Sequence, residues 1–154
     1  MIKEDLKRTV IFSLSKLGFK RKGWSWHFSN EDNVVAIDLQ KSNYSLKYYV
    51  NICCAPLGMN IEGMPTPKEH KFPIRIRADG VFPSLEDEIG KIFDLENDMF
   101  PDEERSERIS EIITNDIGPF ALRIADISGL KSAIAEGIFE RGLITLAAKT
   151  HLGL

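Results

Sequence analysis

The sequence predicts an α+β fold: an antiparallel sheet of about four strands in meander order, with an N-terminal helix and C-terminal helices packed on one face. Three observations lead there. A helical apolar period opens the chain, period-two alternation follows between Trp24 and Arg77, and helical spacing returns after residue 79. No strand–helix–strand alternation occurs, which argues against a parallel dinucleotide-binding sheet. At 154 residues a single domain spanning 1–154 is expected, with a helix plus strands in 1–78 and mainly helix in 79–154.

The first element is an amphipathic helix. Ile2, Leu6, Val10, Leu14 and Leu17 form one apolar stripe, widened by Ile11 and Phe12. Glu4 and Asp5 suit the positive end of the helix dipole and Lys16 the negative end. Gly18 offers a left-handed cap, and Phe19 can fold back on the last turn. Lys20-Arg21-Lys22-Gly23 reads as a basic turn. Trp24, Trp26 and Phe28 then alternate with Ser25, His27 and Ser29, so the first strand buries its aromatics and points His27 outward.

Asn30-Glu31-Asp32-Asn33 reads as a hairpin loop. In the second strand, Val34 to Gln40, the residues Val35, Ile37 and Leu39 share a face. Residues 41–45 turn the chain. Leu46, Tyr48, Val50, Ile52 and Cys54 then share a face of the third strand. Adjacent Cys53 and Cys54 point to opposite faces of such a strand, which suits neither a metal site nor an ordinary disulfide. Residues 56–71, rich in Pro and Gly, read as an irregular loop. Phe72, Ile74 and Ile76 mark a fourth strand, placed at a sheet edge by Pro73.

After Asp79-Gly80 the period changes. Residues 85–95 are compatible with a short helix or with a strand near Ile92 to Leu95. Asp102 reads as the capping carboxylate of a helix carrying Ile109, Ile112 and Ile113, ended by Gly118-Pro119. Ser128 caps a helix with Leu130, Ile134 and Ile138; Gly142 breaks it, and 143–149 add a last short helix.

Charge is unevenly distributed. Residues 1–78 hold 13 Lys/Arg against 7 Asp/Glu, or +6, while 86–111 hold 11 acids against Lys91, Arg105 and Arg108, or −8. The net charge is −3 and the pI about 5.7, which argue against a phosphate-tracking nucleic-acid binder. No apolar run approaches the ~18–20 residues needed to span a bilayer. The charged start lacks the apolar core of a signal peptide, so a cytoplasmic location is expected.

No P-loop, GxGxxG, HExxH or GxSxG motif occurs, and His27, His70 and His151 are each isolated from a second ligand type. No catalytic residue, cofactor or metal is therefore expected. Two polar groupings remain. Gln40, Lys41 and Ser42 close an apolar strand, and with Arg75 and Arg77 they could hold a carboxylate, a phosphate or a partner's backbone. Gln40 satisfying nearby backbone groups and Ser42 shaping the turn is the competing structural account. The carboxylates Glu103, Glu104 and Glu107 could steer and mask a basic protein, or simply solubilise a helix.

The run Leu17-Gly-Phe-Lys-Arg-Lys-Gly, the aromatic strand after it, and Ile37-Asp-Leu-Gln-Lys-Ser resemble a bacterial family known as domain of unknown function 4304. Tyr49-Val-Asn-Ile-Cys and the Gly118-Pro119-Phe120 corner extend the likeness over residues 5 to about 140. The resemblance supports the fold and carries no activity or catalytic residue. Some small proteins of this type look like immunity partners of toxins. The expectation is thus a non-catalytic protein-binding domain, immunity-like in its sharpest form, masking a basic partner through 86–111. The rival is a small-molecule-binding or enzymatic domain using the polar residues of the sheet.

Overall fold

A computed structural model describes all 154 residues, Met1–Leu154. Its centre is one antiparallel sheet of six strands in sequence order: β1 (Lys20–Lys22), β2 (Ser25–Ser29), β3 (Asn33–Lys41), β4 (Tyr48–Pro56), β5 (Ile74–Arg77) and β6 (Leu143–Ile144). The meander is as expected, with two more strands than the sequence announced. β1 is the basic stretch read as a turn: Lys20 pairs with His27 and Lys22 with Ser25. β6 pairs with β5, so Pro73 begins a strand with neighbours on both sides instead of an edge. Its missing N–H costs nothing, because it precedes the ladder and offers its carbonyl to the Thr145 amide at 3.0 Å.

Seven helices follow the chain: α1 (Lys3–Ser15), α2 (Ala78–Val81), α3 (Glu86–Ile92), α4 (Asp102–Ile112), α5 (Gly118–Ala125), α6 (Ile127–Ala135) and α7 (Leu146–Leu152). On α1 the stripe buries Leu6, Val10 and Leu14 completely, while Ile2 precedes the helix and is exposed. Phe12 also faces solvent, with the Lys16 ammonium 4.0 Å from its ring centre. Gly18 takes φ +90°, and the Phe19 amide returns to the Leu14 carbonyl at 3.1 Å, closing the helix as expected.

The helices meet the sheet face that carries Trp26, Val35, Ile37, Val50, Ile52, Ile74 and Ile76, making one core with Ile92, Ile109, Ile117 and Ile124. Each fully buried aliphatic or aromatic side chain contributes about 1.5–3 kcal/mol. The opposite face is half covered. The 57–73 connection folds across it and lays Ile61, Met64 and Phe72 on Val34, Ala36, Cys53 and Ala55, a second, smaller core. Phe72 therefore does not share the face of Ile74 and Ile76. The same cover buries His27, which alternation alone had placed in water.

The region left open between helix and strand contains α3, followed by a single bridge between Lys47 and Asp94. Asp102 gives α4 no side-chain cap. Gly118-Pro119 does not end the helical path either. The turn Ile113–Ile117 widens to a π-helix, the Gly118 amide reaches the Ile113 carbonyl, and α5 continues at once. The wider turn accommodates Pro119, which can make no amide bond to the preceding turn. A Cβ at Gly118 would come 2.7 Å from the Ile113 backbone carbonyl oxygen and 2.3 Å from Leu17 Cδ1; the side chain can move aside, the carbonyl cannot without shifting the turn. Asp126, not Ser128, caps α6 by accepting from the Gly129 amide at 3.3 Å. α6 stops at Gly137, at φ +81°, before Gly142.

Candidate functional site

Side chains of alternate residues on the loop-side face of the sheet line up across strands. Lys22, Ser25, Asp38, Asn51 and Arg77 form one cross-strand row; Lys20, His27, Ala36, Cys53 and Arg75 form the next. Gln40 and Tyr49 pair just beyond the first row. A polar strip thus runs beside the small core.

Hydrogen bonds and stacking fix this strip. The Asn51 amide nitrogen donates to Asp38 Oδ2 at 3.3 Å and to Gln40 Oε1 at 3.1 Å. Burial raises the Asp38 carboxyl above its ordinary value, and nearby Glu69 adds to this, against the Asn51 hydrogen bond. Arg75 pairs with Glu69 at 3.5 Å. The Arg77 guanidinium lies 3.9 Å from the Tyr49 ring centre, a cation–π contact. His27 Nε2 sits 3.5 Å from the Pro67 carbonyl, and burial, with Lys22 adding, lowers its pKa.

Of the residues singled out from the sequence, Gln40, Arg75 and Arg77 share this face. Lys41 does not: it pairs with Tyr48, on the opposite parity, and its ammonium donates to the Ser42 carbonyl at 3.2 Å. Ser42 accepts from the Tyr44 amide at 3.1 Å, the turn-shaping role weighed against a binding one. The cleft beside Arg77 measures about 10 Å³, room for about one water molecule. Cys53 and Cys54 are free thiols, both buried, and burial pushes both thiol pKa values up.

The acidic segment lies in the helix layer, across the sheet from this strip. Part of its charge is used internally. Glu86 pairs with Arg141 at 3.1 Å, Asp87 with Lys91 at 2.9 Å, and Arg108 bridges Glu88 and Glu111. Glu103, Glu104 and Glu107 are exposed and make no ion pair. They stand on the solvent side of α4, whose inner side carries Arg105, Ile109 and Ile112.

Arg105 is 1% exposed and has no carboxylate partner. Its guanidinium donates instead to the carbonyls of Lys91 (3.0 Å), Ile92 (2.7 Å), Asp94 (3.0 Å) and Asn97. The first two lie at the C-terminal end of α3, where the helix dipole favours a cation. Arg105 so ties α4 to the loop before it. On its flank, Ser13 and Thr9 of α1 give their hydroxyl protons to backbone carbonyls of their own helix and accept from Ser110 and Ser106 at 3.0 and 3.3 Å. The three free carboxylates are therefore displayed on a helix held from two sides.

Sequence reasoning missed Asp38, Asn51, His27 and Arg105. A signal for the first two was present, since Asp38 is the one carboxylate inside an apolar strand and Asn51 falls opposite it. No three His, Cys, Asp or Glu side chains are grouped as metal ligands would be. No helix is long and apolar enough to cross a membrane.

No curated protein and no solved structure matched the chain. The family model described as Domain of unknown function (DUF4304) matches residues 12–123, from the last turn of α1 through β1 to β5 and into α5. With β1 to β5 and the Gly118-Pro119 junction inside that match, the chain belongs to the DUF4304 family.

Proposed function

We propose that this protein is a non-catalytic binding domain that engages a basic protein through the outer face of α4. One observation supports this reading above the others: Glu103, Glu104 and Glu107 are left exposed and without ion pairs, while neighbouring Glu86, Asp87, Glu88 and Glu111 are ion-paired within the molecule, the last two sharing Arg108. Three uncompensated carboxylates on one rigid helix present a steep negative potential. Such a surface accelerates encounter with a cationic partner and fixes its register. In its sharpest form the reading is immunity-like, with the acidic helix covering the cationic site of a toxin or nuclease.

The rival, a small-molecule or enzymatic domain built on Gln40, Lys41, Arg75 and Arg77, gains less. Gln40 is held by Asn51, Arg75 by Glu69 and Arg77 by Tyr49, and Lys41 points away from them. Capture from the native host separates the two. Wild-type protein should retain a basic partner at low salt and release it at high salt. The variant with Glu103→Lys, Glu104→Lys and Glu107→Lys should retain none while keeping wild-type stability, since exposed substitutions usually cost under about 0.5 kcal/mol. Equal retention by the two proteins would refute the proposal.

A further inference from the structure

The 57–73 connection lies on the loop-side face of the sheet without joining it. From Gly58 to Lys71 the backbone amides close turns within the connection or back to Pro56, as from Met59 to Pro56, Met64 to Ile61, Thr66 to Gly63 and Lys71 to Lys68. Three side-chain contacts tie this segment to the strands. Lys22 Nζ donates to Thr66 Oγ1 at 3.3 Å, Arg75 pairs with Glu69 at 3.5 Å, and His27 Nε2 lies 3.5 Å from the Pro67 carbonyl. Beneath it the sheet supplies Val34, Ala36, Cys53 and Ala55, none larger than valine. Open spaces of about 290 and 250 Å³ flank His27 at its margin. A segment so thinly held opens locally at a lower free energy than the whole fold.

His27 is the titratable residue sealed under it. The side chain is 7% exposed, with the Pro67 carbonyl and the Phe72 ring, 6.2 Å between centroids, laid against it from the connection. The carbonyl can only accept, so Nε2 carries the proton of the neutral ring, and Nδ1 lies buried without a partner. A second proton, on Nδ1, would make a buried donor with nothing to receive it. The charged and titratable groups around the ring are Lys20 and Lys22 on β1, Asp38 on β3, Cys53 on β4, Arg75 on β5, and Lys68 and Glu69 on the connection. Asp38 is held by Asn51 and Glu69 by Arg75, whereas Lys22 adds positive charge beside the ring. The closed arrangement therefore disfavours the imidazolium by geometry and by charge.

We propose that the 57–73 connection is a proton-triggered strap, closed over neutral His27 and lifted when Nδ1 gains a proton, which uncovers Val34, Ala36 and Cys53 while the helix-side core stays packed. Once the strap lifts, His27 meets water and returns toward its ordinary value of 6.5; in the closed state burial, with Lys22 adding, holds it lower. Closure is thus favoured above pH 6.5 and weakens as pH falls toward the lowered value, by up to about tenfold for each pH unit. Asp38 works the other way, because its raised pKa makes protonation favour the closed state. The device sits across the sheet from α4 and does not depend on the acidic surface there.

Cys53 reports the opening, since it lies under the strap while its neighbour Cys54 belongs to the helix-side core. The full chain is treated with a pyridyl disulfide, which reacts with thiols in mild acid, at about pH 7.5 and about pH 5.5. Each rate is divided by that of the urea-unfolded chain at the same pH, and fragmentation of the labelled peptide assigns the label to one cysteine. The normalised rate at Cys53 should rise by up to about tenfold at the lower pH, with Cys54 still protected. His27→Gln should remove the rise, and Asp38→Asn should keep it. An unchanged rate at Cys53 in the wild type, labelling of Cys54 as fast as Cys53, or a rise that survives His27→Gln would each overturn the proposal.

Discussion

Arg105→Met removes the guanidinium that ties α4 to the end of α3 while keeping an apolar stem of similar length. Nη1 supplies two N–H groups to the carbonyls of Lys91, Ile92 and Asp94, and Nη2 supplies at least one to Asn97. Hydrogen bonds from a charged donor contribute about 1.5–3 kcal/mol each, and relaxation of the loop lets water reach some freed carbonyls. Counting two such bonds as lost gives about 3–6 kcal/mol, with little cavity penalty because methionine fills the stem. For a chain of this size that lowers the melting temperature by roughly 6–24 °C. Urea unfolding of the wild type, Arg105→Met and Arg105→Lys measures it. Lysine retains the charge but offers its donors from one nitrogen, so it should fall between the other two. Hydrogen exchange should accelerate first at amides 93–97. A methionine variant within about 0.5 kcal/mol of wild type would refute the role assigned to Arg105.

Three further outcomes follow from the same geometry. Gly118→Ala should destabilise by roughly 1–3 kcal/mol, read by thermal unfolding, because its Cβ would meet Leu17 at 2.3 Å and the Ile113 carbonyl at 2.7 Å. Cys53 and Cys54, buried and with raised pKa, should resist thiol reagents in the native state and react in urea; native labelling at neutral pH would contradict their placement. Two opposed pH slopes should appear in stability. His27 favours its neutral form on folding, so the unfolded chain binds the extra proton, and stability falls as pH drops below the ordinary value of 6.5 toward the lowered folded one. Asp38 favours its protonated form, so stability falls as pH rises from 3.8 through the raised folded value, and Asp38→Asn should remove that loss. Urea midpoints across pH for wild type, His27→Gln and Asp38→Asn check both signs.

How much the sequence revealed depended on whether a signal was local. The α1 stripe and the parity of β3 and β4 are local, and Leu14, Val35, Ile37 and Ile52 are buried as their spacing required. β1 is Lys20-Arg21-Lys22, all exposed, and β6 is two residues long, so neither carries an apolar pattern; both exist because a neighbour supplies the pairing. His27 had the parity expected of it. Its burial came from the 57–73 connection, whose Pro- and Gly-rich sequence has no period from which a docking face could be read. Gly118-Pro119 reads as a stop because both residues disfavour helix interiors, whereas the π turn at Ile113–Ile117 lets the helical path continue through them. In the same way parity brought Gln40, Arg75 and Arg77 to one face. Ion pairing, which left Glu103, Glu104 and Glu107 free, could be seen only once Arg108, Arg141 and Lys91 had been placed.

The most direct measurement is the affinity of the captured partner for wild-type protein and for the Glu103→Lys, Glu104→Lys, Glu107→Lys variant, each across a series of salt concentrations. The account predicts tight binding by the wild type that weakens steeply as salt rises, and loss of that binding in the variant at every concentration, with circular dichroism and unfolding midpoint unchanged. Indistinguishable affinities and salt slopes for the two proteins would contradict it.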